Sequence, residues 1–169
     1  MKHNIFLVGF MGTGKTTVAA ELAKQLNYET IDLDCVIEKS SNLKVQDIFS
    51  QFGEAEFRKR ETQAVASCIE MDHTVIACGG GVVLNKQNVD YMKQAGRIVL
   101  LTALPETIYN RVKNNDSRPL LKENMSVEYI SEMLGKRHTV YQSCADITMD
   151  TDNKNPASIA KEIKELLNL

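Results

Sequence analysis

Gly9-Phe10-Met11-Gly12-Thr13-Gly14-Lys15-Thr16 fits the spacing G-x-x-x-x-G-K-[ST] in full. Ahead of it, Asn4-Ile5-Phe6-Leu7-Val8 is an apolar run short enough for a buried strand. Behind it, Val18, Ala19, Leu22, Ala23 and Leu26 recur at helical spacing. Strand, glycine loop and helix together make an anion cradle: tightly wound backbone turns successive N–H groups inward, and the helix start adds its dipole. Lys15 then reaches the β- and γ-phosphates of a nucleotide, and the Thr16 hydroxyl is placed to ligate Mg²⁺. A glycine-rich turn into an ordinary helix would show the same letters, but would not need these flanks.

Working outward, 169 residues make one domain with room for a core. Lys and Arg number 20 against 22 Asp and Glu, a net charge of −2. There is no basic excess to neutralise a nucleic-acid backbone, so no nucleic-acid partner is expected. Arginine is confined to Arg58, Arg60, Arg97, Arg111, Arg118 and Arg137. Guanidinium is the preferred fork for carboxylate and phosphate, so the placement of so few is informative. Cys35, Cys68, Cys78 and Cys144 are scattered, with no C-x-x-C pair, and read as reduced thiols. The first apolar run is too short for a signal sequence, and no segment reaches membrane-spanning length. A cytoplasmic protein without a membrane partner is expected.

Thr30-Ile31-Asp32-Leu33-Asp34 reads as a second strand, whose alternation puts Asp32 and Asp34 on one side at its carboxyl end. Open α/β sheets bind ligands there. The alternative is a helix N-cap by Asp34, with Asp32 solvated. Residues 36–53 look helical but interrupted, with Gly53 as the break, and a second helix runs over 54–71. Its apolar phase is Phe57, Ala64, Val65, Cys68 and Ile69, and Glu61 falls in it, one turn beyond Arg58. An inward carboxylate needs a partner, and Arg58 is within reach; a surface ion pair is the other reading.

Thr74–Ala77 is a third strand, and Gly79-Gly80-Gly81 follows. A triple glycine after a buried strand fits a ligand approaching too closely for any Cβ, although glycine clusters also mark plain loops. A helix over 85–94 and a strand over 97–102 come next, then Pro105 opens a helix carrying Ile108, Tyr109 and Val112. The polar run 114–124 is long for a connection and suggests a lid, with a surface loop as the alternative. Ser126 caps a helix phased on Val127, Ile130, Leu134 and Tyr141, with Arg137 on the same face or snorkelling from it. A last strand spans 146–149; Asn155 caps and Pro156 starts a final helix, with Ile159, Ile163, Leu166 and Leu167 inward. Strands alternate with helices throughout, which predicts a parallel sheet covered on both faces.

Taken in order, these residues resemble the shikimate kinases over nearly the whole chain. The carrying residues are the loop 9–16, Asp32-Leu33-Asp34, Phe57-Arg58 with Glu61, and Gly79-Gly80-Gly81. Arg111 leading to Arg118-Pro119-Leu120-Leu121, Arg137 with Tyr141, and Asn153-Lys154-Asn155-Pro156 complete the series. The resemblance implies a P-loop fold like the nucleoside monophosphate kinases: a five-stranded parallel sheet, a lid over about 112–125, and an acceptor-binding region over about 33–62. It implies transfer of the ATP γ-phosphate to the 3-hydroxyl of shikimate, in aromatic amino-acid biosynthesis, by a monomer. Lys15, Asp34 and Arg118 are the implied catalytic residues, Asp34 taking the 3-hydroxyl proton. Gly12, Thr13, Gly14, Lys15, Thr16, Thr17, Arg111, Arg118, Lys154 and Pro156 would bind ATP, with Arg111 against adenine. Asp34, Arg58, Gly79, Gly80, Gly81, Arg118 and Arg137 would bind shikimate, both Arg58 and Arg137 on its carboxylate. Thr16 and Asp32 would serve Mg²⁺.

Three positions depart from the pattern. Leu33 replaces a small hydroxyl residue between the aspartates, Cys78 stands where Thr is common, and the stretch 137–141 lacks the usual proline before Tyr141. The last of these bears on the pose of Arg137. Two other readings compete. A kinase of another polyol acid, such as gluconate, does not call for paired arginines and a triple glycine. A guanine-nucleotide switch reads its base with N-K-x-D, and Asn153-Lys154-Asn155-Pro156 lacks the aspartate.

Overall fold

The computed structural model describes residues 3–113 and 125–169. The elements run β1 (Asn4–Val8), α1 (Lys15–Leu26), β2 (Glu29–Asp32), α2 (Leu33–Ser41), α3 (Val45–Ser67), β3 (Thr74–Ala77) and α4 (Lys86–Ala95). They continue with β4 (Gly96–Thr102), α5 (Pro105–Val112), α6 (Val127–Cys144), β5 (Ile147–Asp150) and α7 (Pro156–Leu166). The sheet order is β2-β3-β1-β4-β5, and every pairing is parallel.

Because successive strand residues face opposite sides, the sheet sorts its apolar residues into two cores. Phe6, Val8, Ile76, Ile98 and Leu100 pack with residues of α2, α3, α4 and α6 on one face. Ile5, Leu7, Val75, Val99 and Leu101 pack with α1 and α7 on the other. A third cluster, Phe10, Ile108, Val112 and Ile130, closes the space between the glycine loop, α5 and α6. Helix starts follow the capping residues: Asn85, Ser126 and Asn155 accept from Gln87 N, Tyr129 N and Ser158 N, each cap contributing about 1 kcal/mol.

β1 sits between β3 and β4, and β2 lies beyond β3. The chain thus leaves β1 toward one half of the sheet and later builds the other. This reversal opens a crevice at the carboxyl ends of the strands, the place where open α/β sheets take ligands.

Several boundaries differ from expectation. The second strand stops at Asp32, so Asp34 is not on it and the shared strand side of the two aspartates is overturned. The cause is a cap: Asp32 Oδ1 accepts from Asp34 N (2.9 Å) and Cys35 N (3.4 Å), starting α2 one residue later. The N-cap is therefore Asp32 rather than Asp34. The expected break at Gly53 is present, as non-helical backbone (φ 82°, ψ 174°) that divides α3 at a kink, and the left-handed Asn42 at the end of α2 adds an earlier interruption. Leu166, expected inward, is 54% exposed, while Leu167 packs on the α1–α7 side. The lid run 114–124 lies outside the described residues.

Candidate active site

The glycine loop leaves β1 and enters α1 through Gly14, which is left-handed. Thr13 is buried, its hydroxyl donating to Phe10 O (2.8 Å), so it stiffens the turn from within. Lys15 Nζ lies over the loop, donating to Gly9 O (2.8 Å) and Phe10 O (2.9 Å). Thr16 and Thr17 are exposed in the first turn of α1. The Thr16 hydroxyl donates to Asp32 Oδ2 (3.0 Å), so the loop and the end of β2 meet through two oxygen atoms. Since Asp32 Oδ1 is engaged by the start of α2, one carboxylate caps a helix and offers its other oxygen to the crevice.

Asp34, half-buried in the first turn of α2, and Glu61, in the second half of α3, flank the triple glycine. A Cβ on Gly79 would lie 3.0 Å from Glu61 Oε1 and 3.5 Å from Asp34 Oδ1. Arg58 Nη1 donates to Glu61 Oε2 (2.9 Å), and the exposed Glu54 holds the outer side of the guanidinium at 3.2 Å. Glu61 is only 1% exposed, and its Oε1 is buried without a hydrogen bond. Burial pushes its carboxyl above the usual range; the Arg58 charge opposes that push, and Asp34 adds to it. Arg58 lies flat on Gly81, where a Cβ would come within 2.5 Å of Nη2. The expectation of an inward carboxylate partnered by Arg58 therefore holds, and the surface-pair reading falls.

The two halves of the crevice touch. A Cβ on Gly80 would lie 3.5 Å from Met11 N in the glycine loop. α6 spans the same junction, with the Tyr141 hydroxyl donating to Gly80 O and the Arg137 guanidinium 5.6 Å from the centre of the Phe10 ring. A phosphate cradle thus adjoins a pocket rimmed by a guanidinium and two carboxylates. Such a pocket suits a small acceptor carrying hydroxyls and a carboxylate.

Comparison with known proteins agrees with this chemistry. The family profile described as Shikimate kinase matches residues 11–168. The chain belongs to the shikimate kinase family. The shikimate kinase of Moorella thermoacetica is 42% identical over 167 residues, covering 99% of this chain and 95% of that one. That of Thermodesulfovibrio yellowstonii is 41% identical over 160 residues, covering 95% and 92%. The solved structure of shikimate kinase from Acinetobacter baumannii in complex with shikimate superposes with a TM-score of 0.94 at 33% identity, covering 99% of this chain and 94% of that one. The chain is therefore a phosphotransferase that uses ATP and an alcohol acceptor, and its reaction is transfer of phosphate to a shikimate hydroxyl.

Of the remaining sequence-derived residues, Arg111 reaches the glycine loop. Arg111, exposed at the end of α5, donates to Gly12 O (3.0 Å), Thr151 Oγ1 (3.2 Å) and Thr151 O (3.2 Å). It braces the glycine loop against the loop after β5. Lys154 is anchored to Glu162 Oε2 (2.7 Å) on α7, which Pro156 begins. Arg118 lies outside the described residues. Of the departures, Leu33 and Cys78 are both core residues, and burial holds the Cys78 thiol far above its ordinary value. Without the proline, α6 runs unbroken through Arg137 and Tyr141. Sequence reading missed the Thr151 brace and the contact of Arg137 with Phe10. Neither has a spacing signal, since both join residues far apart in the chain.

Proposed function

We propose that Asp34, Lys15 and Arg118 carry the transfer of the γ-phosphate to the 3-hydroxyl, and that Arg58 and Arg137 hold the shikimate carboxylate. One observation carries this reading: Gly80 joins the pocket of Asp34, Arg58 and Glu61 directly to the phosphate loop at Met11. Positioning and charge are most of what phosphoryl transfer needs, since the transition state is loose and its charge is spread over the equatorial oxygens. Asp34 accepts the hydroxyl proton as the acceptor oxygen attacks. Lys15 exchanges its loop carbonyls for the oxygens of the transferring group, and Arg118 adds charge from the lid. Glu61 holds one edge of Arg58 and leaves the rest of the fork to the acceptor carboxylate. The backbone of Gly12–Thr17 cradles the phosphates, while Arg111, Lys154 and Pro156 border the base.

Thr16 Oγ1 and Asp32 Oδ2, hard oxygen donors 3.0 Å apart beside the loop, fit Mg²⁺. An ion held by Thr16 and Asp32 would supply positive charge to offset the negative charge of the β- and γ-phosphates. No helix among the described residues is long and apolar enough to cross a membrane. Four free thiols suit a reducing cytoplasm, and a monomer is the simplest state for one crevice.

The test is Asp34→Asn, which keeps the shape and removes the proton acceptor. kcat should fall about a hundredfold or more, with the KM for ATP little changed. Near-normal turnover would mean that Asp34 serves only the first turn of α2.

A further inference from the structure

Away from the crevice, at the amino ends of the central strands, His3, Asp72 and His73 form a cluster that the kinase reaction does not use. The parallel register pairs Ile5 with Val75, so two residues earlier His3 stands beside His73, each just before its strand. Their rings stack with centroids 4.7 Å apart. Between them, Asp72 is fixed by the backbone: its Oδ1 accepts from His3 N (2.7 Å) and His73 N (3.0 Å). His73 takes the left-handed conformation (φ 55°), which histidine tolerates better than most residues, and the edge of the Tyr28 ring packs against it.

The separations among the side-chain donors carry the argument. His3 Nδ1 lies 3.3 Å from Asp72 Oδ1, and His73 Nδ1 lies 3.2 Å from Asp72 Oδ2. A charge-assisted imidazolium–carboxylate hydrogen bond is shorter, about 2.7–2.9 Å. Ligands on a tetrahedral ion with bonds of about 2.0–2.1 Å stand roughly 3.3 Å apart. All three donors lie within 4.8 Å of one another, and each side chain is about half exposed, so an ion can enter from solvent.

We propose that His3, Asp72 and His73 form a binding site for a divalent transition-metal ion of the zinc class, clipping the start of β1 to the start of β3. Two imidazoles and a carboxylate are the donors such ions prefer over Mg²⁺, and solvent completes the coordination. The hydrogen bonds to Asp72 Oδ1 fix the carboxylate in advance, as the outer contacts of metal ligands do. The ion would sit at the opposite end of the strands from the phosphate loop, so it stabilises the fold and leaves phosphoryl transfer alone.

The test titrates zinc chloride alone into the nucleotide-free full chain, by calorimetry, in a Cys35→Ser background that removes the exposed thiol. One equivalent should bind, the melting temperature should rise, and Co²⁺ in its place should give the visible absorption of a low-coordinate site. His3→Ala and His73→Asn, the latter keeping a residue that accepts positive φ, should each weaken binding at least about tenfold. Both variants should also lose the zinc-dependent rise in melting temperature while keeping parental kinase activity. Absence of stoichiometric binding would overturn the site. So would equal affinity in the parent and either variant, because the ion would then lie elsewhere.

Discussion

Arg58 lies so close to Gly81 that a single methyl group decides its position. A Cβ there would come within 2.5 Å of Nη2 and 2.6 Å of Nη1, atoms at the far end of a flexible side chain. The backbone of Gly81 is ordinary (φ −98°), so Gly81→Ala should fold with little loss of stability but push the guanidinium aside. A charge-assisted pair contributes about 1.5–3 kcal/mol, so the KM for shikimate should rise about tenfold to a hundredfold while the KM for ATP stays constant. An unchanged shikimate KM would remove Arg58 from the acceptor site. Glu61 behind it makes a second prediction. Its carboxyl is raised above the ordinary 4.5 chiefly by burial, so the folded chain holds that proton more tightly than the unfolded one. Stability from this group is thus fully present below the unfolded value and is lost as pH rises through the folded one, by at most about 1.4 kcal/mol per pH unit. Urea denaturation across pH should show parental stability falling relative to Glu61→Gln above about pH 4.5. A rise instead would show that the Arg58 charge outweighs burial.

At the scale of elements, α3 carries Arg58 and Glu61 of the proposed acceptor pocket, and its interruption was disclosed by the amino-acid pattern. Gly53 was legible as a break, because glycine interrupts an otherwise periodic run. The backbone at Gly53 is non-helical, so two helical segments meet there at a kink, and Phe57, Glu61, Ala64 and Val65 are buried beyond it. Gly53 has φ 82° and ψ 174°, a region nearly closed to other residues, although nothing lies within 4 Å of where a Cβ would stand. Gly53→Ala should therefore cost about 1–3 kcal/mol through backbone strain alone, read by chemical denaturation. A neutral effect would mean that the bend is held by packing around α3 and not by the glycine. The end of β2, by contrast, was misjudged. Asp32 and Asp34 satisfy a strand alternation as text, but a carboxylate that can cap two backbone N–H groups ends the strand first. Asp34 thereby reaches Gly79 from a helix turn.

For the whole molecule, the alternation of strands and helices was readable because the apolar runs of β1, β3 and β4 are buried on both faces and stand out between helical patterns. The order of strands was not, since it depends on which long-range pairings close. The buried Asn4 shows the limit: its Nδ2 donates to Met71 O (2.9 Å) and Ala95 O (3.0 Å), and its Oδ1 accepts from Thr74 N (3.1 Å). It stitches the foot of the sheet, yet by sequence it is only the polar first residue of an apolar run. The pairing of β1 between β3 and β4 brings the phosphate loop, the helix-capping Asp32 and the triple glycine to one crevice. In this arrangement one crevice joins nucleotide and acceptor in a single reaction. A coupled assay of ADP release, run with ATP and Mg²⁺ in the presence and absence of shikimate, tests it most directly. ADP is expected only when shikimate is present, with one shikimate 3-phosphate formed for each ADP; ADP released at the same rate without shikimate would show that the crevice does not couple the two.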